Sequence, residues 1–343
     1  MRLTRETLIK IARDTANQRA RVSRRIICIY LTGSVLSDTP LLGGTTDIDL
    51  IVIHDSEPVE PREVVRMSDE IHLDIGHYPQ TIFHQPRHLR ADPWFGPFIY
   101  KKPMVLYETH HWFDFIQAAT GAQFFQPDYV LQRASTLAQK ARQSWMDLEL
   151  NQSQAHAQRV YRYLECVENA GNALVCLTGE GEPLAERRFM LQMPHRLQEY
   201  NQPALISELV SLLVPDLEGL DEFWPHWLEA WEEAYQAASS QETIPAQLHA
   251  CRHLYYERAI HALWEESPTA ALWLLLRTWT LAASHLPADS PALPKWLSAC
   301  QFLGLGSAGF SGRLHALDHY LDQVEETLDI WGNANGVSTM SEP

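Results

Sequence analysis

Ile26-Ile27-Cys28-Ile29-Tyr30-Leu31-Thr32-Gly33-Ser34, a gap of twelve residues, then Asp47-Ile48-Asp49-Leu50-Ile51-Val52-Ile53: the reading of this stretch decides the N-terminal fold. The first run is apolar and rich in β-branched residues, and it stops at a glycine–serine turn, the pattern of a buried strand. The second starts by alternating acid and apolar residue and then becomes wholly apolar. That is a strand whose leading end faces solvent on one side. Side chains alternate faces along a strand, so Asp47 and Asp49 point one way while Ile48 and Leu50 enter the core. Between the two runs, Ser37-Asp38-Thr39-Pro40 and Gly43-Gly44-Thr45-Thr46 carry turn chemistry.

Working outward, Glu70-Ile71-His72-Leu73-Asp74-Ile75-Gly76 alternates strictly and predicts a third strand, with Asp74 out of phase with its apolar neighbours. Val105-Leu106-Tyr107 predicts a short fourth. Residues 4–20 read as a helix capped by Thr4, with Leu8, Ile11, Ala12 and Ala16 at helical spacing. Pro61 to Met67 reads as a short helix with proline early, where its missing N–H costs little. From about residue 125 the period is helical throughout. Segments 129–150, 155–178, 183–200, 203–214, 217–238, 245–264, 268–283 and 312–330 are expected helices, separated by prolines and glycines. The expected fold class is therefore α+β. An α/β domain with a small mixed sheet covers 1–118, and an all-α domain covers 125–331.

The acids carry the chemistry. If the strands holding Asp47, Asp49 and Asp74 are neighbours in one sheet, three carboxylates converge on one face. Carboxylates so placed repel each other, and a divalent cation relieves that repulsion. Oxygen-only ligands favour Mg²⁺. Gly33 lets the backbone approach a phosphate closely, and the Ser34 hydroxyl with nearby N–H groups can hold phosphate oxygens. Together these parts suit a two-metal phosphoryl transfer. One metal would bind a triphosphate, the other would activate an acceptor hydroxyl, and Asp74 would take the hydroxyl proton.

Leu31-Thr32-Gly33-Ser34, the twelve-residue gap and Asp47-Ile48-Asp49-Leu50 resemble the motif of the DNA-polymerase-β-like nucleotidyltransferase superfamily. That motif is Gly-Ser or Gly-Gly, a loop of about this length, then acid–apolar–acid–apolar. Asp74 matches the third acid that the superfamily carries on a later strand. Val105-Leu106-Tyr107-Glu108 resembles the strand that closes many small bacterial members. The helical second half is similar in kind to the antibiotic nucleotidyltransferases, which add an AMP-type group to aminoglycoside or lincosamide hydroxyls. Motif support covers residues 25–110, and Thr32 departs from the pattern, which usually has an apolar residue there.

The resemblance implies an N-terminal nucleotidyltransferase domain that uses Mg²⁺. An NMP group would pass from an NTP, with ATP the expected donor, to a hydroxyl of a small acceptor, releasing pyrophosphate. Asp47, Asp49 and Asp74 would be the catalytic and metal-binding residues, and Gly33 and Ser34 the nucleotide-binding ones. The helical domain would shape the acceptor site. Two rivals stand beside this reading. One is a toxin-like enzyme that modifies tRNA or protein, and the other is a nucleotide sensor without catalysis.

Composition narrows the partners. The 343 residues hold 43 acids against 27 Lys and Arg, a net charge of −16, which argues against a long nucleic-acid footprint. Basic residues gather at the N-terminus, where Arg2, Arg5, Lys10, Arg13, Arg19, Arg21, Arg24 and Arg25 face only Glu6 and Asp14. A solvated helix face is the favoured account, and a wall for polyphosphate or RNA the second. The 5 cysteines are scattered without zinc spacing, and no apolar run or signal peptide is evident, so the expected location is the cytoplasm without membrane attachment.

The remaining candidates read as ordinary structure. Among the 16 histidines, His72, His77, His84, His88, His110 and His111 crowd the end of the first domain without metal-ligand spacing. Lys101 and Lys102 read as a solvated hairpin, Arg187 and Arg188 as a helix-surface pair. Trp224, Trp227 and Trp231 share a helical face and read as core. Asp216, Glu218, Asp221, Glu222, Glu232 and Glu233 read as solvated acids.

Overall fold

The computed structural model describes residues 3–101, 103–179, 181–199, 203–213 and 219–338. The chain is α+β, and it divides into two compact units. The first comprises Met1–Tyr129 with Leu254–Ala259, the second Val130–His253 with Ile260–Pro343.

In the first unit, helix α1 (Arg5–Val22) is capped by Thr4, whose hydroxyl accepts the Thr7 N–H. The strands are β1 (Ile26–Thr32), β2 (Thr46–His54), β3 (Arg62–Arg66), β4 (Ile71–Pro79) and β5 (Met104–Glu108). They form one mixed sheet in the order β3-β4-β2-β1-β5. The β2–β4 pair runs parallel; the β1–β2, β1–β5 and β3–β4 pairs run antiparallel.

Alternation along these strands gives the sheet two faces. On one, Ile29, Leu31, Ile48, Leu50, Val52, Leu73 and Ile75 pack with Leu8, Ala12 and Ala16 of α1. On the other, Cys28, Tyr30 and Ile53 join Phe83, Leu89, Ile99 and Phe113. The helices α2 (Pro86–Ala91), α3 (Phe95–Tyr100) and α4 (Trp112–Gly121) supply three of those residues. This apolar layer reaches Ile51 and Ile53 but not Asp47 and Asp49, which lie on the same face nearer the start of β2. The acids thus stand beyond the end of this apolar layer.

Several local expectations are corrected; the α-helices expected over 183–200 and 245–264 start only at Phe189 and His253, after 3₁₀ turns. Residues 61–67 are not helical; Arg62–Arg66 is strand β3, paired with β4 from Arg62↔Gly76 to Arg66↔His72. A helix that short is not self-sustaining, whereas an open strand edge accepts the β-branched pair Val64-Val65.

The second unit is helical: α5 (Pro127–Leu150), α6 (His156–Cys176), α7 (Phe189–Glu199), α8 (Pro203–Leu213), α9 (Leu220–Ser239), α10 (His253–Glu266), α11 (Pro268–Ser284), α12 (Leu293–Phe302) and α13 (Phe310–Ala334). The first residues of α5 and the Leu254–Ala259 stretch of α10 belong to the first unit. Helix α12 was not expected from the sequence. Trp224, Trp227 and Trp231 are buried as expected, and the Trp231 indole donates to Thr278 at 2.9 Å. Arg187 is buried, not on the surface, while Asp216, Glu218 and part of the 217–238 segment lie outside the described residues. All five cysteines are free, and no helix among the described residues is long and apolar enough to cross a membrane.

Candidate functional site

The parallel register of β2 and β4 sets Asp49 directly opposite Asp74, and Asp47 opposite His72. Paired residues in a sheet share a face, so all three carboxylates converge. One oxygen from each lies within 4.8 Å of the others. Asp47 and Asp49 are partly exposed and Asp74 is buried.

Gly33 closes the site from β1. Its backbone sits at φ 76° and ψ −158°, a region that is essentially glycine-only. A Cβ there would stand 2.0 Å from Asp49 Oδ2. The glycine therefore lets the carboxylate lie against the turn. Ser34 opens a short 3₁₀ turn, Ser34–Leu36, and its hydroxyl lies 3.4 Å from that of Thr46. Thr32, the residue that departs from the motif, is buried and pairs with Asp49 across the β1–β2 ladder.

Two residues that the sequence reading missed hold the acids. The Arg62 guanidinium grips Asp74 with a two-pronged fork, Nε to Oδ1 at 2.7 Å and Nη2 to Oδ2 at 2.5 Å. The Tyr255 hydroxyl donates to Asp47 Oδ2 at 2.7 Å, and its ring meets His72 edge-on at 4.7 Å. The Tyr255 segment is seated by the turn before β2. Thr45 donates to the Tyr255 carbonyl at 3.4 Å, and Gly43 lies so near the Arg258 carbonyl that a Cβ would meet it at 2.1 Å. No sequence pattern marks Tyr255, which is 208 residues from Asp47. Arg62 becomes legible only once the segment is read as a strand, where period two sets it on one face with Val64, the residue paired with Asp74.

This donor set is made only of carboxylate oxygens that lie close together, two of them on partly exposed residues. That chemistry suits a hard divalent cation such as Mg²⁺. A second group, Glu108, His111 and Asp114, also brings ligand atoms within 4.8 Å. There His111 and Asp114 are largely exposed, and Glu108 accepts the Phe113 N–H at the start of α4, so ordinary helix-end contacts account for it.

The remaining candidates fall elsewhere. His77 hydrogen-bonds His54 at 2.9 Å and Glu63 at 2.7 Å, and Arg19 forks onto the same Glu63. Burial, the imidazole of His77 and the nearby Arg25 hold the His54 pKa below its ordinary value. Burial opposes ionisation of Glu63, but its bonds to Arg19 and His77 keep its pKa low. Lys101 is exposed beyond α3; Lys102 and Arg2 lie outside the described residues. Arg25 pairs with Asp55, and Arg5 donates to the Val35 and Leu36 carbonyls.

No protein-family model and no curated protein matches the chain. Among solved structures, it is similar to a nucleotidyltransferase-like protein from Exiguobacterium sibiricum 255-15. The two are 12% identical with a TM-score of 0.33, over 93% of this chain and 91% of that one.

Proposed function

We propose that this chain is a nucleotidyltransferase that moves an NMP group from an NTP, with ATP the expected donor, to a hydroxyl of a small acceptor. The observation that carries this reading is the meeting of Asp47, Asp49 and Asp74 beside the Gly33-Ser34 turn. In this reading the three carboxylates hold Mg²⁺, and Gly33 and Ser34 hold the triphosphate. Asp74 takes the proton of the acceptor hydroxyl as its oxygen bonds to the α-phosphorus. The bond from that phosphorus to the bridging α–β oxygen breaks, and pyrophosphate leaves with the electron pair. A bound divalent cation supplies charge neutralisation on the phosphate oxygens. Tyr255 keeps the Asp47 carboxylate oriented throughout.

The test is incubation with each labelled NTP, Mg²⁺ and a panel of aminoglycosides, other hydroxylated small molecules, total tRNA and the protein itself. Label is expected in a small molecule, with pyrophosphate released. Asp47→Ala and Asp49→Ala should each lower transfer by at least about a hundredfold while the fold persists. Label confined to tRNA or to the protein would replace the acceptor class. Nucleotide binding without turnover would make the chain a sensor, and full activity of both variants would remove the acids from the chemistry.

A further inference from the structure

Asp74 is asked to join a cation site, yet both its oxygens are occupied by a side chain of the same protein. The Arg62 fork takes Oδ1 at 2.7 Å and Oδ2 at 2.5 Å. Asp74 is only 5% exposed, so its charge is poorly served by water and depends on its partner. Arg62 differs. Its side chain is 46% exposed, and it sits on β3, at one edge of the sheet. The pairing of β3 with β4 sets Arg62 opposite Gly76, two residues beyond Asp74 on the same face. From there the fork reaches Asp74 diagonally. A planar guanidinium matches a carboxylate in a way a point charge cannot.

Asp47, by contrast, accepts a hydrogen bond from the neutral Tyr255 hydroxyl. The arginine thus supplies positive charge to a cluster whose ligand oxygens lie within 4.8 Å. A divalent cation would do the same work at the same carboxylate.

We propose that Arg62 is a built-in, displaceable counter-ion of the acidic site, which competes with the divalent cation for Asp74. The buried carboxylate stays put, and the half-exposed arginine is the partner that yields. Cation binding then releases the guanidinium to the rim of the site. The proposal rests on the cation site put forward above and not on the identity of the acceptor.

The experiment is Mn²⁺ binding to the full chain without nucleotide, followed by the EPR signal of the free ion. The proteins are the wild type, Arg62→Met, Arg62→Lys and Asp49→Asn, with circular dichroism to confirm folding. Asp49→Asn should lose the binding. Arg62→Met should bind roughly tenfold more tightly than the wild type, because a competing charge has been removed. Arg62→Lys keeps the charge but loses the fork and should fall between them; it carries the test alone if Arg62→Met does not fold. Equal or weaker binding by the folded Arg62 variants, with Asp49-dependent binding in the wild type, would overturn the counter-ion role and leave the cation site standing. Absence of Mn²⁺ binding, or binding indifferent to Asp49, would remove the cation site and the proposal with it.

Discussion

Gly33 has a backbone that other residues adopt only under strain, and the Asp49 carboxylate occupies the space a side chain would need. Gly33→Ala is expected to destabilise the first unit by about 1–3 kcal/mol through the backbone alone, with the methyl pushing Asp49 off the site in addition. Urea denaturation checks the first effect and Mn²⁺ titration the second. A stability change under about 0.5 kcal/mol with unaltered Mn²⁺ affinity would mean that the turn does not constrain Asp49. The alternation around Asp47, Asp49 and Asp74 was legible because period two forces these acids opposite to Ile48, Leu73 and Ile75. Their partners were not. Tyr255 reaches Asp47 only through a contact 208 residues away in sequence, and hydrogen bonds of that range leave no local pattern.

Among the elements, β3 shows why a short segment resists reading. Arg62–Arg66 has five residues, follows a proline and contains both charges and β-branched side chains, so its own preferences decide little. The open edge of β4 decides, and with it the position of Arg62. At the far end of β2 and β4 another pairing can be tested through pH. His54 touches His77, and burial with neighbouring positive charge holds its pKa below the ordinary 6.5. The unfolded chain therefore binds a proton at His54 more readily than the folded one. That contribution to stability is fully present above pH 6.5 and is lost as pH falls through the depressed folded value. In His54→Gln the urea midpoint should depend less steeply on pH below about 6.5 than in the wild type. An identical slope in both proteins would show that His54 does not supply this dependence.

For the molecule as a whole, charge separates the two enzymatic readings of the acceptor. A protein that handles tRNA must neutralise phosphates, and its affinity then falls steeply as salt rises. Here the net charge is −16, and the N-terminal basic cluster is partly spent internally. Arg19 is forked onto Glu63, Arg25 pairs with Asp55, and Arg5 is bound to backbone carbonyls beyond β1. Lys10, Arg13, Arg21 and Arg24 are exposed on or just after α1, too few for an extended footprint on an acidic molecule. Filter binding with total tRNA at 0.15 M salt is therefore expected to give a dissociation constant no tighter than about 10⁻⁴ M, the weak end of non-specific association. The opposite result has a distinct signature. Binding at micromolar concentration, weakening steeply with salt and lost in Arg21→Glu/Arg24→Glu, would mark the α1 face as a nucleic-acid surface. The acceptor would then be sought among RNA hydroxyls, with the same three aspartates performing the transfer.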